Sequence, residues 1–123
     1  MKALWNDTKG RLAVRRLEVA DTFGTRFRGL LGRGGLPAGD GLLLVDCGSV
    51  HMFFMRFAID AVFIDRGMRV LKVAAGLKPW RLASCARARH TLELPAGAAA
   101  GALEPGDALR VVDEQVAAEQ MEA

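Results

Sequence analysis

The chain has 123 residues, of which 51% are hydrophobic and 25% are charged. This composition fits one globular domain and excludes disordered and collagen-like chains. No apolar run approaches the roughly 20 residues that a membrane-spanning helix requires, and the N-terminus carries no apolar signal segment. We therefore expect a cytoplasmic protein without a membrane span, whose two cysteines are buried thiols rather than a secreted disulfide framework.

The formal charge of +3 is unevenly distributed along the chain. Residues 113–123 hold four acids and no base, which leaves 17 bases and 10 acids, a net +7, in residues 1–112. We expect a single domain over residues 1–112, followed by an acidic tail. Thirteen of the bases are arginine, which pairs well with carboxylate or phosphate, so the sequence allows an anionic partner beside the simpler interpretation of a solvated basic surface. No nucleic-acid recognition motif is present, and we expect no nucleic-acid partner.

Two strands and one helix are predicted in the first third of the chain. Residues 3–6 and 12–20 read as strands joined by turn chemistry at residues 7–10, which predicts an N-terminal hairpin. Asp21 or Thr22 is suited to cap a following helix. The helix is predicted from one apolar stripe, formed by Phe23, Phe27, Leu30 and Leu31. We expect this stripe to pack against the core and the glycine-rich residues 32–37 to end the helix.

The rest of the chain favours strands. They are predicted at residues 41–46, 61–64, 68–74, 88–94 and 108–112. A turn at residues 65–67 makes residues 61–74 a hairpin, residues 95–103 hold one or two helical turns, and the chain from Asp113 onward is a frayed helix or disordered. The expected fold class is α+β, with mostly antiparallel strands forming a curled sheet or small barrel-like core packed on one principal α-helix.

Residues 47–65 are strongly apolar yet carry a thiol, an imidazole, a guanidinium and two carboxylates. Burying such groups without partners costs roughly 1–3 kcal/mol each, and more when they are charged. Arg56 and Asp60 are four residues apart, and a buried ion pair is the simpler interpretation. The alternative is that Arg56 binds an anionic ligand while Asp60 holds the guanidinium in place.

Two thiols and two imidazoles invite two further interpretations. Cys47, His51, Cys85 and His90 together contain the atoms of a tetrahedral zinc site, but their spacing is loose, and we expect no metal. Cys47 and His51 also resemble a nucleophile and its base, although no orienting residue is evident nearby. The glycines at residues 29–35 close a helix instead of opening one, which argues against a phosphate-binding loop.

The remaining candidates are carboxylates and one loop tryptophan. Glu93 lies between Leu92 and Leu94 and points away from them, so it faces either solvent or a site. Asp60 and Glu93 are a candidate acid–base pair, whereas Asp107 lies in a turn beside glycine, where aspartate is common for backbone bonding. Trp80, in the loop at residues 76–87, either borders a ligand site or caps the core.

The motifs together resemble the domain of unknown function 192 family. Residues 28–33 (RGLLGR) are similar to its Arg-Gly-Leu-Met-x-Arg opening, and residues 41–44 to its Gly-Met-Leu-Phe element. Residues 51–65 resemble its central phrase, with Ala58 where the family usually has proline. Residues 92–97 and 106–107 match its Leu-Glu-Leu element and its closing Gly-Asp. The resemblance covers about residues 12–112.

The resemblance implies a small strand-rich domain of bacterial or archaeal origin, and it brings no accepted activity. The site residues that it carries over are Arg28, His51, Met55, Arg56, Asp60, Glu93 and Asp107. With Trp80 added, we expect a binding or accessory module for a small anionic ligand or a peptide, without a cofactor, as a monomer or weak homodimer. The alternative is a hydrolase that uses Cys47 and His51 or the carboxylates.

Overall fold

The computed structural model describes residues 1–122, and most of its regular structure is strand. Within this range there are nine strands and two short helices. The strands are β1 (Lys2–Asn6), β2 (Arg11–Ala20), β3 (Asp40–Leu44), β4 (Ser49–His51), β5 (Ile59–Ile64), β6 (Val70–Leu77), β7 (Leu82–Ser84), β8 (His90–Pro95) and β9 (Leu109–Asp113). The helices are α1 (Phe23–Arg28) and α2 (Glu114–Glu122).

Seven of these strands form one mixed sheet in the order β6-β5-β8-β3-β2-β1-β9, while β4 and β7 pair as a separate two-stranded sheet. The pair β2–β3 is parallel, and the other pairs within residues 1–122 are antiparallel. Arg69 and Ala108, which precede the two edge strands, form an isolated bridge at one end of the sheet. The sheet does not close, so the barrel-like core that the strand pattern also allowed is wrong.

The middle of the large sheet is covered on both faces. Leu43, Val62 and Leu92 belong to one buried apolar cluster, which we call the first core. Their strand neighbours Leu42 and Phe63 belong to another, the second core, on the opposite face. Because side chains alternate along a strand, each buried side chain of β3, β5 and β8 faces one core or the other.

Most predicted strands are present. The N-terminal hairpin β1–β2 and the hairpin β5–β6 are confirmed, although β6 runs on to Leu77. The strands predicted at residues 41–46, 88–94 and 108–112 are β3, β8 and β9, displaced by one or two residues. The short strands β4 and β7 were not predicted. Residues 95–103 form hydrogen-bonded turns that do not extend into a helix, and the bond from Leu103 N–H to the Ala99 carbonyl oxygen has the spacing of one helical turn.

The principal helix expected near the N-terminus is much shorter than its apolar stripe. Thr22 caps α1 as predicted, with a reciprocal side-chain–backbone bond to Thr25. The helix ends at Gly29, whose φ of 46° lies in the left-handed region that glycine adopts readily. Phe23 and Phe27 are 79% and 70% exposed. The expectation that they pack in the core is therefore wrong, and the sheet is not built on this helix.

The chain from Glu114 to Glu122 is helical, which agrees with the helix that was one alternative for the tail. Ala117 of α2 is buried against Ala3 of β1 and Val112 of β9. Neither of the helices in residues 1–122 is long and apolar enough to cross a membrane. Ala123, the last residue of the predicted tail, lies outside the described residues.

Asp60 on β5 is a buried carboxylate whose partners are all backbone groups. Its Oδ1 accepts a hydrogen bond from Gly76 N–H at 2.8 Å. Its Oδ2 accepts from Gly97 N–H at 3.1 Å and from Ala99 N–H at 2.9 Å. The predicted ion pair with Arg56 is wrong, because Arg56 is exposed and makes no ion pair within residues 1–122. Asp60 instead ties β5 to β6 and to the turn after β8.

We expect Asp60→Asn to lower the free energy of unfolding by about 1–3 kcal/mol. In either orientation, the amide NH₂ group would face at least one of the three N–H donors. Equilibrium urea unfolding measures this change. Glu119→Gln, which neutralises an exposed carboxylate on α2, is the control and should change stability by less than about 0.5 kcal/mol. An Asp60→Asn protein as stable as this control would contradict the structural role of Asp60.

Candidate functional site

A pocket of about 290 Å³ opens beside α1 and reaches the second core. One side is formed by α1 and the residues that follow it. The other side is formed by the end of β3, the chain leading into β4, and Met55. Glu93 on β8 also lines this pocket. The pocket therefore lies between a surface segment and the interior of the large sheet.

The walls of the pocket are mainly apolar. Phe23 and Phe27 form its outer wall, with their rings stacked at a centroid distance of 6.3 Å. Leu30 and Met55 are buried and form its inner wall. The apolar stripe read from the sequence is thus divided between an exposed aromatic half on α1 and a buried half just after it.

Glu93 lies where the pocket meets the second core. Its neighbours Leu92 and Leu94 point into the first core, so the carboxylate points to the opposite face, as predicted from alternation. The residue is 4% exposed. No hydrogen bond or ion pair reaches its carboxylate from the residues that the structure describes. A Cβ at position 29 would lie 3.6 Å from Glu93 Oε1, so Gly29 leaves the space above the carboxylate open.

Burial raises the pKa of Glu93 to about 7, with the positive charge of Arg33 acting weakly in the opposite direction. A buried carboxylate loses hydration that stabilises its charged form, and the proton is therefore held more tightly. Near neutral pH the group is divided between its neutral and charged forms. A carboxyl group in this state can donate or accept a hydrogen bond, and it can exchange a proton with a bound molecule.

Arg26 and Arg28 line the pocket together with Glu93, and the charge of a third arginine, Arg33, acts on Glu93; the three differ in what they bind. Arg26 donates to the carbonyl oxygens of Asp21 and Val45. Arg33 makes a two-point ion pair with Glu18, at 3.2 and 2.8 Å. Arg28 is exposed at the pocket, and among residues 1–122 no carboxylate lies within ion-pair distance of it.

Cys47 and His51 both line the pocket but do not form the nucleophile–base pair that their spacing suggested. The Cys47 thiol donates to the Ser49 carbonyl oxygen at 3.1 Å. The His51 ring packs beside Phe53, with centroids 5.1 Å apart.

An unprotonated His90 Nδ1 accepts a hydrogen bond from Asp46 N–H. Within residues 1–122, no three His, Cys, Asp or Glu side chains converge as a metal site.

Four of the eight predicted site residues meet at this pocket: Arg28, His51, Met55 and Glu93. Arg56, Asp60, Trp80 and Asp107 do not line it. Asp60 and Glu93 point to opposite faces of the sheet, so they are not an acid–base pair. Asp107 is buried in its turn, where Oδ2 accepts from Asn6 and from Glu104 N–H.

Sequence reasoning missed part of the pocket lining. The apolar stripe predicts a core position for Phe23 and Phe27, and no motif predicts a role for Arg26 or Asp46. One signal was available for the phenylalanines, because Gly29 directly follows the helix and a glycine there is a common stop. A helix that stops at Arg28 separates Phe23 and Phe27 from Leu30, the buried part of the same stripe.

Comparison with known proteins places these features in a wider group. Residues 4–111 match the model of the family described as "Uncharacterized ACR, COG1430", domain of unknown function 192, which confirms the resemblance drawn from the motifs. A UPF0127 protein of Thermococcus sibiricus is 35% identical over 103 residues, 76% of this chain and 64% of the relative. A UPF0127 protein of Pyrococcus furiosus is 36% identical over 109 residues, 85% of this chain and 93% of the relative. The chain spans slightly less than two thirds of the first of these.

Two solved structures share the fold. A protein of unknown function from Novosphingobium aromaticivorans superposes with a TM-score of 0.74 at 23% identity, over 89% of this chain and 82% of that chain. A protein from Sinorhizobium meliloti superposes with a TM-score of 0.74 at 21% identity, over 89% of this chain and 91% of that chain. At these identities the likeness concerns the fold alone.

The raised pKa of Glu93 predicts a specific dependence of stability on pH. Between the ordinary pKa of 4.5 and about 7, the folded protein keeps a proton that the unfolded chain releases. The free energy of unfolding should therefore fall as pH rises through this window, by up to about 3 kcal/mol from this group. Glu93→Gln removes the titration and should gain stability relative to the wild type as pH rises.

Urea unfolding of both proteins at several pH values between about 4 and about 8 measures this difference. Glu119→Gln is the control, since it removes an exposed carboxylate on α2. Its stability curve should run parallel to that of the wild type. If the Glu93→Gln curve is also parallel, the pKa of Glu93 is not raised.

Proposed function

This chain belongs to the uncharacterised family COG1430, and we propose that it is a binding module whose pocket beside α1 takes a small anionic ligand or the anionic end of a peptide. The observation that carries the proposal is Glu93. It is a buried carboxyl group without a protein partner among residues 1–122, and it borders an open pocket. Buried polar groups are nearly always hydrogen-bonded, so a ligand is the natural partner.

The size and walls of the pocket favour a small ligand with an apolar body. A volume of about 290 Å³ is at the lower end of the range for small-molecule sites. Phe23, Phe27 and Met55 offer apolar contact on two sides. A small aromatic or branched aliphatic group fits this space, and so does the last side chain of a peptide.

The charges around the pocket favour an anionic group on that ligand. Among residues 1–122 the Arg28 guanidinium has no hydrogen-bond or ion-pair partner, whereas Arg26 and Arg33 are held by other groups. A guanidinium binds a carboxylate through two parallel hydrogen bonds. The protonated form of Glu93 can donate a further hydrogen bond to the same anion. A cationic ligand would instead meet the positive charges of Arg26 and Arg28.

This arrangement couples binding to a proton. The anion is compatible with neutral Glu93 and is repelled by its charged form. Because the pKa of Glu93 is about 7, the fraction of binding-competent protein falls about tenfold between about pH 6 and about pH 8. Ligand affinity should fall by the same factor.

The test uses phenylacetate and its cationic counterpart 2-phenylethylamine, followed by NMR titration of backbone amides. We expect phenylacetate to shift the amides of residues 28–31 and 93, with an affinity about tenfold weaker at about pH 8 than at about pH 6. In Glu93→Gln the affinity should be independent of pH over this range. The amine should leave these amides unchanged.

Arg28→Ala should weaken phenylacetate binding about tenfold, through the loss of a charge-assisted bond. Arg56→Ala is the matched control, because Arg56 is also an exposed arginine but does not line the pocket. Binding of the amine instead of the carboxylate would overturn the assignment of an anionic ligand. So would equal losses in the two arginine variants.

A further inference from the structure

A second surface of exposed aromatic side chains lies outside the pocket, where the loops after β4 and β6 meet. Phe54 and Trp80 are 74% and 59% exposed, Phe53 is 39% exposed, and Leu82 is 68% exposed. The Trp80 ring contacts the rings of Phe53 and Phe54, with centroids 5.9 and 4.9 Å apart. We call Phe53, Phe54, Trp80 and Leu82 the aromatic platform.

The platform is held in place by the backbone. Trp80 N–H donates to the Met52 carbonyl oxygen at 2.7 Å, and Met52 N–H donates to the Arg81 carbonyl oxygen at 2.8 Å. The pairing of β4 with β7 continues this link. The two loops therefore present their aromatic side chains as one unit.

Folding alone does not account for these residues. Phe54 and Trp80 have φ angles of 64° and 70°, in the left-handed region that bulky residues rarely adopt. A glycine or asparagine would relieve the backbone, and a polar side chain would suit the exposure. Large aromatic side chains at strained, exposed positions, clustered with other apolar residues, are typical of an interaction surface.

The charge around the platform is positive. Arg56, Lys78 and Arg81 are exposed in the same loops, and none of them makes an ion pair within residues 1–122. Residues 76–87 contain three bases and no acid. A partner for this surface must combine an apolar layer with negative charge.

We propose that the aromatic platform docks the protein onto the surface of an anionic lipid bilayer. Phe54 and Trp80 enter the headgroup region, where tryptophan is favoured because one end of the ring is apolar and the other can hydrogen-bond. Arg56, Lys78 and Arg81 lie against the anionic headgroups. Weak apolar insertion combined with a basic patch is sufficient for reversible membrane attachment.

The platform is better suited to a bilayer than to a folded protein partner. Its rings stand out from the surface, as their exposure shows. A protein partner would need matching pockets to receive them, as at the hot spots of protein interfaces. A headgroup layer is deformable and accepts protruding rings without a matching cavity. The strong local excess of positive charge also matches the negative potential of an anionic leaflet.

The test is co-sedimentation of the full chain with vesicles of phosphatidylcholine, with or without one quarter phosphatidylglycerol. We expect binding to the anionic vesicles that weakens as salt is raised, and little binding to phosphatidylcholine alone. Trp5→Phe leaves Trp80 as the single tryptophan of the chain, because the sequence has two. The fluorescence of this variant should shift to the blue on binding and be quenched by brominated lipid.

Two sets of variants separate the contribution of the aromatic platform from that of the basic residues around it. Phe54→Ala/Trp80→Ala should reduce vesicle binding at least tenfold, whereas Met121→Ala, at an exposed apolar site on α2, should not. Lys78→Glu/Arg81→Glu should abolish binding to anionic vesicles. The matched charge control is Arg11→Glu/Arg66→Glu, which changes exposed arginines outside the platform loops and should retain most binding. Circular dichroism checks that each variant is folded.

Three results would overturn the proposal. The first is a wild-type protein that does not bind anionic vesicles. The second is vesicle binding that is unchanged in the folded Phe54→Ala/Trp80→Ala variant. The third is a wild-type dimer in sedimentation velocity that this variant converts to a monomer, because the platform would then be a contact between copies of the chain. Glu93→Gln should bind vesicles like the wild type, which separates this test from that of the pocket.

Discussion

The structure depends on one constraint, which is that β3, β5 and β8 are covered on both faces. The side chains of their buried residues must be accommodated in the first or the second core. For apolar residues this is simply close packing. For a polar residue it demands a partner within reach, because burial without one is unfavourable by about 1–3 kcal/mol.

Asp60 and Glu93 meet this demand in opposite ways. Asp60 points to the face of the first core, where the turn after β8 and a residue of β6 supply three N–H donors. Glu93 points to the other face, where no described residue supplies a donor, and it borders a pocket instead. The two carboxylates lie on adjacent strands, β5 and β8. The face to which each side chain points decides that Asp60 is a structural group and Glu93 a candidate for ligand binding.

The sequence predicted the strands well because alternation and turn chemistry are local signals. The hairpins β1–β2 and β5–β6 follow from residues within a few positions of each other. The pairing of Arg56 with Asp60 failed because the true partners of Asp60, Gly76, Gly97 and Ala99, are distant in sequence. No local pattern reveals backbone donors that the fold brings together.

Only part of the site could be predicted, because its residues also come together from distant parts of the chain. Glu93 was recognised from its position between leucines, but its surroundings were ambiguous, since alternation identifies a face without showing what covers it. The sequence predicts a core position for Phe23 and Phe27 because an apolar stripe indicates an amphipathic helix. The stripe does not show which surface, if any, its apolar side packs against. The strands β4 and β7 have three residues each, too few for a periodic signal.

The parallel pairing of β2 with β3 has a consequence for how this site can change. Two adjacent parallel strands need a long crossover, here residues 21–39, and this connection carries α1 and Gly29. The outer wall of the pocket thus belongs to a connection that the sheet requires for its topology, and within residues 21–39 only Leu30 is fully buried, in the second core. Substitutions at its exposed positions, such as Phe23 and Phe27, can reshape ligand preference while the two cores stay intact. Divergence within the family should therefore concentrate in the exposed parts of this crossover, outside the shared segment at residues 28–33, so that Glu93 faces differently shaped entrances.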